Sequence, residues 1–450
     1  MTAEVGSKCH LHLFDFPAVR RAGSLAFFSC LYGLSSAQRA LRSYAGLSRP
    51  LPFPALEMTA PDTWEAPIVA QATTIYDYLN ATIEREKGAI LFYGIYVTDM
   101  RDYPTLVRAR SAKFPDGISP PCTCSQVSSM PFPGAVVCFD VIGYIRGTNS
   151  RDEFRVIDSE TGKQANYQIA TRLGPYLFFA GIVAPEAAVK PFRLTKELTK
   201  NGGLARSSLN HQARAQTEEV CRNLCTLIES QGGNLSHLKK INVYLTNLAD
   251  LASVEDVLRD WFVMHPPAMS VVEVHSLARP DFVVEIEGIA YLDEPEIEAP
   301  EFPMTVNIGF NPVVRVLGKL IAVSGIIAWD ADLGRLTTSP TDIEAIGRQL
   351  VMNALSSEDR RRPDRISAAV QTWHIMEQFR RGLASIGGLS ALAKMTVYVR
   401  DLYSFNVIET VIKTVLQSER PAITVLEPSS LPLKGAEVMI EAIADSTITK

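Results

Sequence analysis

Apolar and polar positions along this chain follow a pattern that returns three times. Three segments carry Gln, then an aliphatic or aromatic residue at every fourth position, then Gly: Gln71-Ile75-Leu79-Ile83-Gly88, Gln216-Val220-Leu224-Ile228-Gly233 and Gln371-Ile375-Phe379-Leu383-Gly388. That spacing gathers the apolar side chains on one face of a helix. Each segment precedes a strand-like run of shared spelling: Ile95-Tyr96-Val97-Thr98-Asp99-Met100, Val243-Tyr244-Leu245-Thr246-Asn247-Leu248 and Val397-Tyr398-Val399-Arg400-Asp401-Leu402. Gln71 and Gln216 are 145 residues apart and Ile95 and Val243 148; for the next pair of copies the separations are 155 and 154. A period of that length, with a full set of elements in each copy, predicts three domains, at 1–147, 148–296 and 297–450.

The second copy is the plainest. A turn at Leu173-Gly174-Pro175 joins strands near 167–172 and 176–183, and a loop rich in Lys, Gly and Asn runs to about Ser208. A helix then extends to about Gln231, where Gly232-Gly233 supplies the left-handed C-cap that only glycine takes without strain. A strand at 241–245, a helix at 251–263 closed by Pro266-Pro267, and strands at 270–274 and 283–291 complete the copy. The order β-β-α-β-α-β-β predicts an α+β fold with helices on one face of each sheet. Copy one matches it with helices at 67–86 and 103–114, copy three with helices at 366–386 and 402–416. Linkers are expected near 146–153 and 293–303, the second acidic and proline-rich.

The 450 residues suit about three domains of ordinary size. Charge is nearly balanced, −5 overall, with no basic stripe interleaved with aromatics, so a nucleic-acid partner is not expected. No apolar run reaches the roughly 18 residues that span a bilayer. Arg20-Arg21 followed by 22–34 resembles a signal peptide, but Leu25–Cys30 falls where the other copies have a strand, so the chain reads as cytoplasmic. Seven cysteines, an odd number, favour free thiols in a reducing compartment. The seven histidines form no metal set; His10 and His12 alternate on a strand with no third ligand, and neither metal nor cofactor is expected.

With the copies aligned, the chain resembles the RidA (YjgF-like) family, once per copy. The residues that carry the likeness are Ser324-Gly325 after the second strand, the Val-Tyr-Val-x-Asp-Leu strand, and Pro-Ala-x-Ser/Thr followed by the closing Val-Glu-Ile-Glu-Gly-Ile-Ala run at 284–290. The resemblance implies a chorismate-mutase-like trimeric arrangement, built here inside one monomeric chain as an internal pseudo-trimer, with a small-molecule cleft at each junction. The family's enamine/imine deaminases hold a substrate carboxylate with an arginine of Pro-Ala-Arg-Ser. The matching positions are Thr123, Met269 and Ile423, and the family's cysteine two residues later becomes Ser125, Val271 and Val425. Its glutamate on the closing strand survives only as Glu285, opposite Cys138 and Met439 in the other copies. Its helix asparagine matches Arg108, Glu255 and Glu409, and its tyrosine before the first strand matches Phe16, Tyr167 and Asn311.

A carboxylate in a cleft lined by Met269 or Ile423 would lose its water without gaining a counter-ion, which costs several kcal/mol. The sequence therefore points to a neutral, mainly apolar metabolite. It points also to a reaction other than hydrolytic deamination: cyclisation or isomerisation, of the kind met in secondary metabolism. Glu285, Tyr167 and Glu409 are the candidate catalytic groups. Met269, Val271, Gly181, Arg108, Thr123, Ile423, Ser324, Gly325 and His275 are the candidate substrate contacts, and the cleft holding Glu285, Tyr167 and Met269 is the expected working one. Asp140, Glu287 and Glu441 recur in every copy and read as structural. Two alternatives stand beside this reading: imine or enamine hydrolysis with the charge met by Arg108, and a non-catalytic scaffold whose clefts are filled as core. Long loops at 35–66, 184–208 and 330–365 are candidate lids.

Overall fold

The structure is a computed structural model that describes residues 16–34, 39–42, 67–114, 119–145, 153–158, 167–185, 208–303, 313–418 and 420–447. His10, His12, Asn311 and most of the loops at 35–66 and 184–208 lie outside the described residues. The first sheet is formed by β1 (Val19–Ala22), β2 (Leu25–Phe28), β3 (Leu31–Tyr32), β4 (Ala89–Val97), β5 (Cys122–Gln126) and β6 (Val137–Tyr144). The second contains β7 (Phe154–Ile157), β8 (Ala170–Leu173), β9 (Tyr176–Ile182), β10 (Leu238–Leu245) and β11 (Ala268–Glu273). The two-residue β12 (Ser276–Leu277) crosses to the edge of the first sheet, and β13 (Val284–Tyr291) returns to the second. The third contains β14 (Val314–Leu317), β15 (Leu320–Ile327), β18 (Leu392–Val399), β19 (Ala422–Leu426) and β20 (Val438–Asp445), with a separate hairpin of β16 (Trp329–Asp330) and β17 (Arg335–Leu336).

Each sheet carries two helices whose spacing the sequence announces: α1 (Pro67–Glu86) and α2 (Tyr103–Ser111), α3 (Ser208–Ser230) and α4 (Leu251–Phe262), α6 (Pro363–Gly382) and α7 (Phe405–Leu416). The shorter helix of each pair follows a turn capped by Asp99, Asn247 or Asp401, whose side chain accepts the backbone N–H of Arg101, Ala249 or Tyr403. Helix α4 buries Val254, Val257, Leu258 and Phe262 on one stripe, each contributing on the order of 2 kcal/mol. The loop expected at 330–365 instead contains the small hairpin and α5 (Ala345–Ala354).

The three sheets turn their other faces toward one another. Alternate residues along the strands show why. On β11, Met269 and Val271 join the core beneath α3 and α4, whereas Ala268 and Val272 enter apolar clusters shared by all three sheets. Ser270, between them, meets a polar layer at the centre. The same order of apolar, polar, apolar runs along β19 as Ala422, Thr424 and Leu426. The centre is thus two apolar clusters separated by a layer of buried charges: Asp140, Lys240, Glu287, Lys394 and Glu441 line one small cavity there.

Candidate functional site

Pairing of β13 with β10 sets Glu285 opposite Tyr244. The Glu285 carboxyl lies over Gly181 of β9: a Cβ at 181 would fall 1.9 Å from its Oε1, so only glycine leaves room for it. Glu285 is 5 % exposed and its Oε2 has no hydrogen-bond partner among the described residues. Burial, reinforced by Glu287, raises its pKa well above the usual carboxylate range, which favours the protonated acid. Tyr103 of α2, Cys122 and Cys124 of β5, and Tyr167 ahead of β8 all lie close enough to feel its charge. Burial raises the pKa of both thiols and both phenols, which leaves them protonated at rest.

One cation joins this group. Arg110, on the last turn of α2, is 1 % exposed; its Nη1 lies 3.0 Å from Cys122 Sγ, and its guanidinium carbon is 5.9 Å from the centre of the Tyr167 ring. Backbone pairing of Gln168 N–H with the Ser119 carbonyl fastens the Tyr167 segment to the first sheet. The site is therefore a junction: α2 and β5 come from the first segment, and Tyr167, Gly181 and Glu285 from the second. A cavity of about 300 Å³ opens beside it, reaching Tyr167 and Gly181 and walled by Ile157, Ile169, Ile182 and Leu227.

At the other two junctions the positions equivalent to Gly181 and Glu285 are filled by packed side chains. Ser324 Oγ accepts the Met269 N–H at 2.9 Å, and Met439 covers Gly325, where a Cβ would lie 2.7 Å from its Sδ. Ser29 Oγ accepts the Ile423 N–H at 2.9 Å, and Cys138 is fully buried beside Cys30. At the junction of the first and second sheets the corresponding residue is Ala180, by the pairing of β9 with β13, and no hydroxyl clamp is formed there. Met269 is thus not a companion of Glu285 and Tyr167; it faces Ser324 across a different junction.

Comparison with known proteins finds one family twice along the chain. Residues 159–292 and 358–446 match the family described as Endoribonuclease L-PSP. A RutC family protein of Pyrococcus horikoshii is 30% identical over 125 residues, covering 28% of this chain and 86% of that protein. The chain belongs to this RidA/YjgF family. A 2-iminobutanoate/2-iminopropanoate deaminase of Dermatophagoides farinae is 29% identical over 80 residues, 18% of this chain and 62% of that protein. Among solved structures, a YjgF/YER057c/UK114 family member from Mycobacterium tuberculosis covers 31% of this chain and 99% of its own, with 23% identity and a TM-score of 0.24. A chorismatase covers 79% of this chain and 93% of its own, with 12% identity and a TM-score of 0.45.

The strand register corrects how two RidA-family positions map onto the first segment. Tyr93 pairs with Cys122 as Ile241 pairs with Met269 and Met395 with Ile423. Cys122, not Thr123, therefore stands where the resemblance puts the arginine, and Cys124, not Ser125, stands with Val271 and Val425. The double proline at Pro120-Pro121 shifts the motif by one residue, and a one-residue shift moves a side chain to the other face of a strand. Thr123 consequently points to the central layer. Counting from the caps Asp99, Asn247 and Asp401, the helix position of Glu255 and Glu409 belongs to Val107, so Arg108 is out of register with them.

The remaining candidates are placed as follows. Glu409 pairs with Lys413 one turn along α7 at 2.6 Å, and Ile423 and Val271 lie in the cores beneath their own helices. His275 sits where three loops meet, its Nε2 3.0 Å from Ser128 Oγ, away from the Met269 junction. Arg110 escaped the sequence reading, although a signal was present: its cap-counted equivalents are Leu258 and Ile412, both core residues, so an arginine there must be buried.

Proposed function

We propose that this RidA-family chain is a small-molecule enzyme working by proton transfer at one junction, between the first and second sheets, with Glu285 as its acid and base. The proposal takes the three segments as domains that stand in for the subunits of a trimer. The observation that carries it is the Glu285 carboxyl, buried and seated on Gly181 with one oxygen unpartnered among the described residues. Such a group can give its proton to a substrate heteroatom and take one back from carbon or water. The adjoining cavity, where Ile157, Ile169, Ile182, Val183 and Leu227 share the wall with Asp158, Asn223, Thr226 and Ser230, suits a neutral body that is apolar with a few polar groups, and isomerisation or cyclisation is the reaction class that fits. Tyr167 and Tyr103 lie near enough to the carboxyl to feel its charge and can serve as further donors.

Soaking crystals of the full chain with neutral enones and small ketones, and following deuterium wash-in from D2O into them in solution, tests this reading. The expected result is a carbonyl oxygen within hydrogen-bond reach of Glu285, with wash-in that Glu285→Gln slows at least about a hundredfold. Equal exchange by both proteins, or ligand seated elsewhere, overturns it.

A second reading draws support from Arg110, a guanidinium beside the position where the family's arginine is replaced by Cys122. One relative is named for deamination of 2-iminobutanoate. On that reading the substrate carboxylate is met from α2 rather than from β5, and ammonia is released from 2-iminobutanoate generated in situ. Its loss in both Glu285→Gln and Arg110→Lys would favour it over isomerisation.

A further inference from the structure

The central polar layer repeats a pairing twice and then breaks it. Lys394 of the third sheet reaches Asp140 of the first at 2.6 Å, and its Nζ also donates to the Thr424 hydroxyl at 2.7 Å and the Phe28 carbonyl at 2.6 Å. Lys240 of the second sheet reaches Glu441 of the third at 2.7 Å, with the Ser270 hydroxyl bonded to the same carboxylate. Completing the cycle, position 92 of the first sheet should reach Glu287 of the second. The registers agree: Phe92 pairs with Ile142 as Lys240 pairs with Ile289 and Lys394 with Ile443. Position 92, however, is phenylalanine.

Among the described residues, Glu287 is left with acceptor capacity and no cation paired to it. Its Oε1 accepts the Tyr244 hydroxyl at 2.9 Å and the Asn242 amide at 3.0 Å, while Oε2 has no partner among the described residues. The Thr123 hydroxyl, equivalent by register to Ser270 and Thr424, lies nearby, short of hydrogen-bond geometry, and is likewise without one. Both residues are more than nine-tenths buried, at 4 % and 2 % exposure. Glu287 and Phe92 line the central cavity of about 60 Å³, larger than the roughly 15 Å³ that admits one water-sized occupant. One orphaned carboxylate oxygen, with the Thr123 hydroxyl near it, thus stands beside the place that an ammonium group fills in the other two thirds of the layer. Burying a carboxylate without a counter-charge is costly, so a free cation gains there what the missing lysine would have supplied.

We propose that the central cavity binds a monovalent cation of ammonium size, ammonium or potassium, held by Glu287 and Thr123 in place of the third lysine. The ion is structural, locking the three sheets together, and stands apart from the Glu285 junction.

The test is thermal unfolding of the full chain at pH 8 and constant ionic strength in ammonium, potassium, sodium or tetramethylammonium chloride. The wild type is expected to gain about 1–2 °C, saturably, in ammonium or potassium over tetramethylammonium, which is too large for the cavity. Glu287→Gln, which removes the charge but not the shape, and Phe92→Lys, which supplies the cation covalently, are both expected to unfold at one temperature in all four salts. Identical wild-type midpoints, or a salt difference that persists in Glu287→Gln, overturn the proposal. A rubidium-soaked crystal of the wild type decides independently of either variant folding: an anomalous peak beside Glu287 is expected, and its absence at saturating rubidium counts against the site.

Discussion

A methyl group at position 181 would occupy the space of the Glu285 carboxyl, 1.9 Å from Oε1 and 2.6 Å from Cδ. Gly181→Ala is therefore expected to force the side chain out of its seat, costing about 1–3 kcal/mol in urea unfolding and most of the proton-transfer rate. Adding Glu285→Ala to Gly181→Ala should restore stability while leaving the rate low, a coupling that a double-mutant cycle reads directly. That Glu285 was singular among the copies was legible, because its counterparts are Cys138 and Met439. That Arg110 shares its junction was not. Helix periodicity says which positions face inward, but not that a charged side chain would be accepted there in company with a thiol and a phenol ring.

At the scale of elements, the glutamine that opens each repeat explains its own recurrence. Gln371 Nε2 donates to the Gly435 carbonyl at 2.9 Å while its Oε1 accepts the Glu437 N–H at 2.8 Å. Gln216 does the same with Asp281 and Val283, and Gln71 with Gly134 and Val136. Each long helix is so clamped to the chain entering the closing strand, and all three glutamines are fully buried. Gln371→Leu removes both bonds and strands a buried carbonyl and N–H, so a loss of about 2–4 kcal/mol is expected in urea unfolding, with Glu substitution also destabilising. The six repeated helices and the central strands were readable because amphipathic spacing and capping agree within each copy. Helix α5 was not: its Gly347 lowers helix propensity and is required by packing, since a Cβ there would meet the Trp373 indole at 2.3 Å. Tertiary contact thus decided what local pattern left as loop.

For the molecule as a whole, the broken cycle at the centre sets a pH dependence with a definite sign. Burial, opposed by the Thr123 and Tyr244 hydroxyls and the Asn242 amide, raises the Glu287 pKa from 4.5 to about 7. The folded chain then keeps a proton that the unfolded chain releases. Its stabilising contribution is complete below pH 4.5 and is lost as pH rises to about 7, roughly 3 kcal/mol at about 1.36 kcal/mol per unit. Glu285, raised for the same reason, titrates in the same sense, whereas burial lowers the pKa of His374, which acts oppositely. The stability of the wild type minus that of Glu287→Gln cancels His374 and the part of the Glu285 shift that burial causes, leaving Glu287 and its coupling to Glu285. Measured in tetramethylammonium salts, where the cavity holds no small cation, this difference is expected to fall steadily between pH 5 and 7 and then level off. Phe92→Lys should reverse the sign: a lysine at 92 would favour the ionised form of Glu287, so that variant gains on the wild type as pH rises. A difference that stays flat across the window would mean that Glu287 is already ionised at pH 5, its charge met by a group other than a cation in the cavity.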